Sequence, residues 1–279
     1  MARGYTDDQD GVVSIGRVFS RAFGVITGNP GTVLGVPFVF GALPGLIFKL
    51  IVPGAGYAAG FAGRASLRGL LIPSIAMALG VILLLGSIAL WMTAQGALVR
   101  ATVAYSDEGR LLSFGEAARA GLRVSVRLFA MWVLFSISVS FGLVIFFMIP
   151  GIILCAMWAV TQPALVEERT SVFGAFGRSY ELTKGSRWIV FALGLIMIAI
   201  SLIYFSLAIT IGFAVGISNG AQVATGAVGW GLLLVGLLVN AASSTVFSAM
   251  IATIQASLYV ELRNAKEGAP GEALAQVFA

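Results

Sequence analysis

The long stretches without a charged residue constrain the fold of this chain more than any other feature. Residues 128–166 contain no charge, and neither do residues 188–260. A helix needs about 20 apolar residues to cross the hydrocarbon core of a bilayer. The first stretch is divided by Pro150 and the second by a polar segment at 218–222, so each predicts a pair of membrane-spanning helices.

Two further apolar runs complete the predicted fold. Residues 30–52 and 70–99 predict a third pair of spans, so we expect an all-α polytopic membrane protein with six transmembrane helices. The composition agrees, because 59% of the 279 residues are hydrophobic and only 10% are charged. Soluble domains carry about 25% charged residues.

The basic residues predict the orientation of these spans. Fourteen of the 17 lysines and arginines fall on the side of the N-terminus, and only Lys49, Arg64 and Arg68 fall on the other. The positive-inside rule then predicts that both termini and the two long loops are cytoplasmic. The tail at 5–10 is acidic, so we expect no cleaved signal peptide.

An internal repeat precedes the pairs of spans. Residues 14–28 align with residues 171–185, and Ser, Phe, Arg and Gly recur at four equivalent positions. A weaker third copy begins at Ser113. In the first copy apolar residues recur at i, i+3 and i+4, which is typical of an amphipathic helix. We therefore expect three repeats, each a cytoplasmic amphipathic helix followed by a transmembrane hairpin.

This pattern divides a single membrane domain, residues 1–279, into seven segments. The hairpins occupy 30–99, 128–166 and 189–262. Each is preceded by an interfacial helix, in the N-terminal segment 1–29 and in the loops 100–127 and 167–188. Residues 263–279 are expected to be a flexible tail.

The basic residues of the three interfacial segments are candidate ligands for lipid headgroups. A basic residue near an anionic membrane surface gains about 1 kcal/mol. The simpler alternative is that they only satisfy the positive-inside rule. The candidates are Arg17, Arg21, Arg119, Arg123, Arg127, Arg178, Lys184 and Arg187.

Polar residues within the predicted spans are few, and none is acidic. They include Gln95 and Gln255, but the strongest cluster combines Gln162, next to a helix-kinking proline, with a group in the last span. Such residues either bond between helices or form a substrate or ion site. The candidate intramembrane pocket consists of Gln162, Asn240, Ser243, Ser244 and Thr245.

The residues that are missing exclude several kinds of chemistry. The chain has no histidine and one cysteine, Cys155, which excludes a Ser-His-Asp site and a zinc cluster built from imidazole or thiolate. We expect no catalytic residue, metal or cofactor. The basic pI of about 9.7 reflects membrane orientation, so no nucleic-acid partner is expected.

Some stretches resemble a known family. Residues 162–168 (QPALVEE), 178–185 (RSYELTKG) with Arg187-Trp188, and 113–117 (SFGEA) are similar to the membrane domain of glycerophosphodiester phosphodiesterases and to stand-alone bacterial proteins related to it. The resemblance implies the bacterial cytoplasmic (inner) membrane. It does not imply hydrolysis, because the family's soluble catalytic barrel and its histidines are absent from this sequence.

Two functions remain open at this point. The first is a non-enzymatic membrane protein that binds or organises lipid, with anionic lipid as the expected partner, or that scaffolds a protein partner on the cytoplasmic face. The second is a transporter or channel for a small or amphipathic solute. An intramembrane enzyme is the weakest alternative, because Glu167, Glu168 and Glu181 have no accompanying nucleophile or metal ligands. The sequence does not determine the oligomeric state.

Overall fold

The computed structural model describes residues 13–48, 67–145, 149–222 and 227–268, and these residues form helices and no strand. In chain order the helices are α1 (Ile15–Gly28), α2 (Pro30–Phe48), α3 (Leu67–Glu108), α4 (Phe114–Ile145), α5 (Ile149–Met157), α6 (Thr161–Glu167), α7 (Val172–Thr183), α8 (Arg187–Gln222) and α9 (Ala227–Glu267). Helix α2 contains a π-helical turn at Phe38–Ala42.

Within the described residues, six segments are long and apolar enough to cross a membrane, which confirms the predicted all-α fold with six spans. They are Pro30–Phe48, Ala78–Glu108, Phe114–Gly142, Pro150–Glu167, Arg187–Thr210 and Leu234–Glu267. Helix α2 and the long helices α3, α4, α8 and α9 each contribute one span, and α5 and α6 together contribute the fourth.

Short separate helices precede two of the three pairs of spans. Helix α1 ends at Gly28, and Pro30 begins the first span after a single intervening residue. Helix α7 begins at its cap Ser171, whose Oγ accepts a hydrogen bond from Gly174 N, and Arg187 begins the fifth span soon after α7 ends. The buried residues of α1 are Val18, Ala22 and Val25, whereas Phe23 of the predicted apolar face is 53% exposed.

The structure differs from the prediction over residues 100–127. No separate helix lies there, because α3 continues to Glu108 and α4 begins at Phe114. Ser113 caps α4 through bonds with Glu116 in both directions, which starts the helix at once. Ala117 and Val124, which follow in α4, are buried in the bundle, so this segment is the end of a span. The threefold repeat stays a prediction.

The C-terminal end of the last span also differs from the prediction. Helix α9 extends to Glu267, so residues 263–267 of the predicted flexible tail are helical. An ion pair between Arg263 and Asp107 of α3 fixes this end, with 2.6 Å between Nη2 and Oδ2. The predicted tail beyond residue 268 and the N-terminal residues before 13 lie outside the described residues.

Helices α3 and α4 approach closely at two glycines. A Cβ atom on Gly121 would lie 2.1 Å from Thr93 O and 2.9 Å from Ala97 N, both in the backbone of α3. A Cβ atom on Gly96 would lie 2.7 Å from Val124 Cγ2. Small residues allow such backbone contact between helices in a membrane, where packing replaces the hydrophobic effect as the driving force.

We expect Gly121→Ala to destabilise the protein, because its methyl group collides with backbone that has no rotamer to change. The expected loss is about 1–3 kcal/mol of unfolding free energy, measured by thermal unfolding in detergent micelles. Gly86→Ala on α3 is the control, since a Cβ there meets nothing within 4 Å. Equal stability of the two variants would contradict the close contact.

Candidate intramembrane binding site

The fourth span is interrupted, and the cause is a proline. Helix α5 ends at Met157, and α6 begins at Thr161. Pro163 has no backbone N–H, so it donates no helical hydrogen bond to Ala159 O. Thr161 N bonds to Trp158 O instead of continuing the α-helical pattern. The predicted kink at Gln162-Pro163 is thus a turn at 158–160.

Side chains from α7 and α9 pair with the backbone that this turn releases. Gln255 Nε2 donates to Ala159 O at 2.7 Å. Ser179 Oγ and Thr183 Oγ1 donate to Met157 O at 2.9 and 3.2 Å. Irregular backbone at membrane depth is tolerated only where protein buries it or where it lines a cavity, and both conditions hold here.

A cavity of about 440 Å³ lies beside the turn, between α3, α4, α6, α8 and α9. Aromatic side chains form much of its lining. They are Trp91, Trp132, Phe135, Trp158, Tyr204, Phe205 and Phe247. We call this the aromatic cavity. Its volume lies within the range of about 300–1,000 Å³ that is usual for small-molecule sites.

Three glutamine amides line the aromatic cavity, and they differ in their bonding. Gln95 Nε2 donates to Ser248 Oγ at 3.0 Å, and Gln255 holds the backbone of the turn. Gln162 Nε2 is shielded from solvent and has no hydrogen-bond partner among the described residues. A buried donor without a partner costs about 1–3 kcal/mol. Gln162 therefore offers an unused donor to a molecule in the cavity.

The structure brings together only part of the pocket predicted from the sequence. Gln162 and Ser244 line the same cavity, but Asn240, Ser243 and Thr245 are not among its lining residues. The hydroxyls of Ser243 and Thr245 donate to carbonyls of their own helix. Adjacent residues point to different faces of a helix, so the three consecutive residues 243–245 do not all line one site.

The aromatic cavity reaches the outer surface of the bundle. Trp132 and Phe205 line it, yet they are 45% and 53% exposed. These exposed rings lie on membrane-spanning helices, on the surface that meets lipid when the spans are in a bilayer. The cavity therefore has lateral access from the hydrocarbon phase.

Several ion pairs tie the helix ends together on the side of the described N-terminal helix. We call them the charged layer. Its pairs are Arg17–Glu261 (2.6 Å), Arg21–Glu261 (3.4 Å), Arg100–Glu167 (2.9 Å), Arg178–Glu168 (2.7 Å) and Arg263–Asp107 (2.6 Å). Glu261 is only 4% exposed. The charged layer connects α1 to α9, α3 to α6, and α9 to α3.

The charged layer accounts for three of the predicted headgroup ligands without any lipid. Arg17, Arg21 and Arg178 bind carboxylates of the protein itself. Burial lowers the pKa of Arg178, but hydrogen bonds from its guanidinium to Glu168 and Glu267 outweigh this and raise the pKa overall. These partners are distant in the chain, so the sequence pattern did not reveal them.

The other five predicted headgroup ligands form no ion pair with a carboxylate in the described part of the chain. Arg119, Arg123 and Lys184 are exposed, and Arg127 and Arg187 are partly buried. They remain candidates for contact with anionic lipid.

The aromatic cavity begins close to the charged layer and extends towards the membrane centre. Gln95 is five residues from Arg100, and Gln255 is six from Glu261. At a rise of 1.5 Å per residue these separations are about 8–9 Å. Ser244 lies about 25 Å from Glu261 along the same helix, so the lining covers much of one half of the spans.

No family model, curated protein or solved structure matches this chain. The resemblance to the membrane domain of glycerophosphodiester phosphodiesterases therefore stays a prediction from the sequence.

We expect Glu261→Gln to destabilise the protein, because it removes the charge that Arg17 and Arg21 share. Breaking a buried ion pair costs about 3–5 kcal/mol, and partial exposure of both arginines reduces the expected loss to about 2 kcal/mol. Glu108→Gln is the control, since its carboxylate pairs with Arg100 but is 42% exposed. If thermal unfolding in micelles shows equal losses, Glu261 does not organise the charged layer.

Gln255→Leu is expected to cost about 1–3 kcal/mol of unfolding free energy, because it leaves Ala159 O without a donor inside the membrane. Gln162→Leu is the matched comparison, since it removes a donor that has no partner. Its expected effect on unfolding is neutral or stabilising. Thermal unfolding of the two variants, free of added lipid, checks this difference in sign.

Proposed function

We propose that this chain is a non-enzymatic integral membrane protein that binds membrane lipid between its spans. The observation that carries the proposal is the aromatic cavity, which has lateral access and contains the unused donor of Gln162. Aromatic and apolar walls favour hydrocarbon. No aspartate, glutamate, lysine or arginine is among the described lining residues, which favours a neutral group as the bound part of the ligand.

The position of the aromatic cavity supports a glycerolipid as the occupant. Its glutamines lie about 8–9 Å below the charged layer, where the ester groups of a lipid meet the hydrocarbon region. An ester carbonyl accepts the hydrogen bond that Gln162 Nε2 offers, and the acyl chain follows the aromatic wall. The exposed Arg119 and Arg123 add attraction for anionic lipid at the same membrane surface.

We also propose how the spans are organised and in which membrane the protein lies. We infer two repeated units of interfacial helix and hairpin, which begin with α1 and α7, and a middle hairpin without a separate helix. We also infer that the charged layer lies on the cytoplasmic side of a bacterial inner membrane, and the excess of basic residues on that side supports this orientation. The equivalent starts of α1 and α7, each ahead of a span, support the two units. A cytoplasmic partner protein is compatible with this arrangement.

Transport of an amphipathic solute is the second candidate function. Transporters often build their sites from interrupted spans near the membrane centre. The turn at 158–160 interrupts the fourth span, and two of its residues, Trp158 and Ala159, line the aromatic cavity. Movement of a fluorescent phospholipid between the leaflets of liposomes that contain the protein would favour this second function over simple binding.

Quenching of tryptophan fluorescence by brominated phosphatidylcholine tests whether lipid enters the aromatic cavity. One variant keeps only Trp158, which lines the cavity, and another keeps only Trp188, which is 84% exposed. We expect the brominated lipid to quench both tryptophans. When Ser244→Phe fills the cavity, we expect Trp158 to lose its quenching and Trp188 to keep it. A Trp158 that is never quenched would overturn the proposal.

Gln162→Leu is expected to weaken lipid binding about fivefold, which corresponds to one hydrogen bond of about 1 kcal/mol. The midpoint of Trp158 quenching, titrated with brominated phosphatidylcholine, measures the change. Asn240→Leu is the matched control, because Asn240 lies on a span but does not line the cavity. An equal loss in both variants would argue against a specific bond to Gln162.

A further inference from the structure

Arg187 is a half-buried arginine whose charge is not matched within the described chain. Its Nε and Nη2 atoms are shielded from solvent and have no hydrogen-bond partner among the described residues. Its guanidinium carbon lies 4.9 Å from the centre of the Tyr180 ring, so the side chain is held in place by stacking. The charged layer nearby pairs its arginines with carboxylates, which makes this arginine different.

A second cavity begins at Val190, about one helical turn after Arg187, which is not itself among the lining residues. It has a volume of about 270 Å³ and lies between α8 and α9. We call it the apolar groove. On α8 it is lined by Val190, Gly194, Met197 and Ser201. These positions follow Arg187 at intervals of three or four residues, so they continue one stripe of the helix surface.

The apolar groove suits a hydrocarbon chain. Among its lining residues only Ser201 and Gln255 carry polar side chains. The hydroxyl of Ser201 is bonded to Met197 O, and the amide of Gln255 is bonded to Ala159 O. The described lining residues therefore offer no unpaired polar side chain, in contrast to the guanidinium of Arg187 one helical turn before Val190.

We infer that Arg187 binds the phosphate of an anionic phospholipid whose acyl chain lies in the apolar groove. Charge-assisted bonds from Nε and Nη2 would satisfy both unpaired donors. The exposed Lys184 and the positive end of the α8 dipole add attraction for the same anion. Trp188, which is 84% exposed, is placed to lie among the headgroups.

This inference rests on the proposed function, because it also assigns membrane lipid as the ligand. It adds a lipid class and a second position. The two cavities share Ala159, Ile251 and Gln255, so they adjoin at these residues, while Arg187 lies closer to the second.

Native mass spectrometry in micelles tests the assignment with phosphatidylglycerol and phosphatidylcholine of identical acyl chains. The wild-type protein is expected to prefer phosphatidylglycerol. Arg187→Gln should reduce that preference about tenfold, in line with the loss of a charge-assisted bond, and Arg187→Lys should retain part of it. Arg169→Gln removes the same charge from an exposed position that is not among the proposed headgroup ligands, and it should leave the preference unchanged. An equal reduction with Arg169→Gln would overturn the inference.

Gly194→Leu tests the apolar groove independently of charge. Gly194 lines the groove and a Cβ there meets nothing within 4 Å, so the leucine side chain is expected to occupy groove space. We expect weaker binding of phosphatidylglycerol, with Gly86→Leu as a control on a spanning helix where a Cβ is equally unobstructed. Inorganic phosphate tests the alternative that Arg187 binds a free phosphate ion and not the phosphate of a lipid. Arg187-dependent phosphate binding, with lipid binding unaffected by Gly194→Leu, would overturn the lipid assignment.

The two proposals fail separately. If Trp158 is quenched by brominated lipid but Arg187→Gln changes nothing, the Arg187 site is wrong and the aromatic cavity stands. If Trp158 is never quenched but the Arg187 and Gly194 variants act as expected, the aromatic cavity is wrong and the Arg187 site stands.

Discussion

The need to pair every backbone polar group within the membrane determines the rest of this structure. Pro163 removes one helical donor, and the fourth span breaks beside it. The freed carbonyls take hydrogen bonds from Gln255, Ser179 and Thr183, which fixes α7 and α9 against the break. The aromatic cavity forms along the same turn. The interrupted fourth span, whose free carbonyls need donors, therefore also positions the candidate site.

Charge at the helix ends complements this pairing inside the membrane. Glu261 is buried between α1 and α9 and accepts bonds from Arg17 and from Ser14 N. A buried carboxylate requires such partners, because desolvation of the charge is costly. The basic residues that the structure describes therefore divide into two groups. One group holds the bundle together, and the other, with Arg187 and Arg119, has no carboxylate partner among the described residues and is the group that we propose to contact lipid.

The sequence predicted the spans well and the contacts between them poorly. Uncharged runs locate membrane helices because each helix satisfies its own backbone bonds. The arginines at 119, 123 and 127 wrongly suggested a separate interfacial helix. A basic stripe at i+4 spacing has the same sequence pattern on an interfacial helix and on the end of a span. Gln162 and Ser244 were found as cavity residues, but the aromatic lining was missed because aromatic residues occur throughout the spans. Pairs such as Arg17 with Glu261 are separated by most of the chain and leave no local signal.

The contact at Gly121 has a mechanical consequence. Because the backbones of α3 and α4 touch there, neither helix can slide or rotate past the other without a collision. The two helices form one rigid wall of the aromatic cavity, carrying Trp91 and Gln95 on one helix and Trp132 on the other. The fourth span also meets α4 backbone to backbone, since a Cβ on Gly142 would lie 3.0 Å from Gly151 N. Any widening of the cavity for a bulky ligand is therefore expected to come from the side of α8.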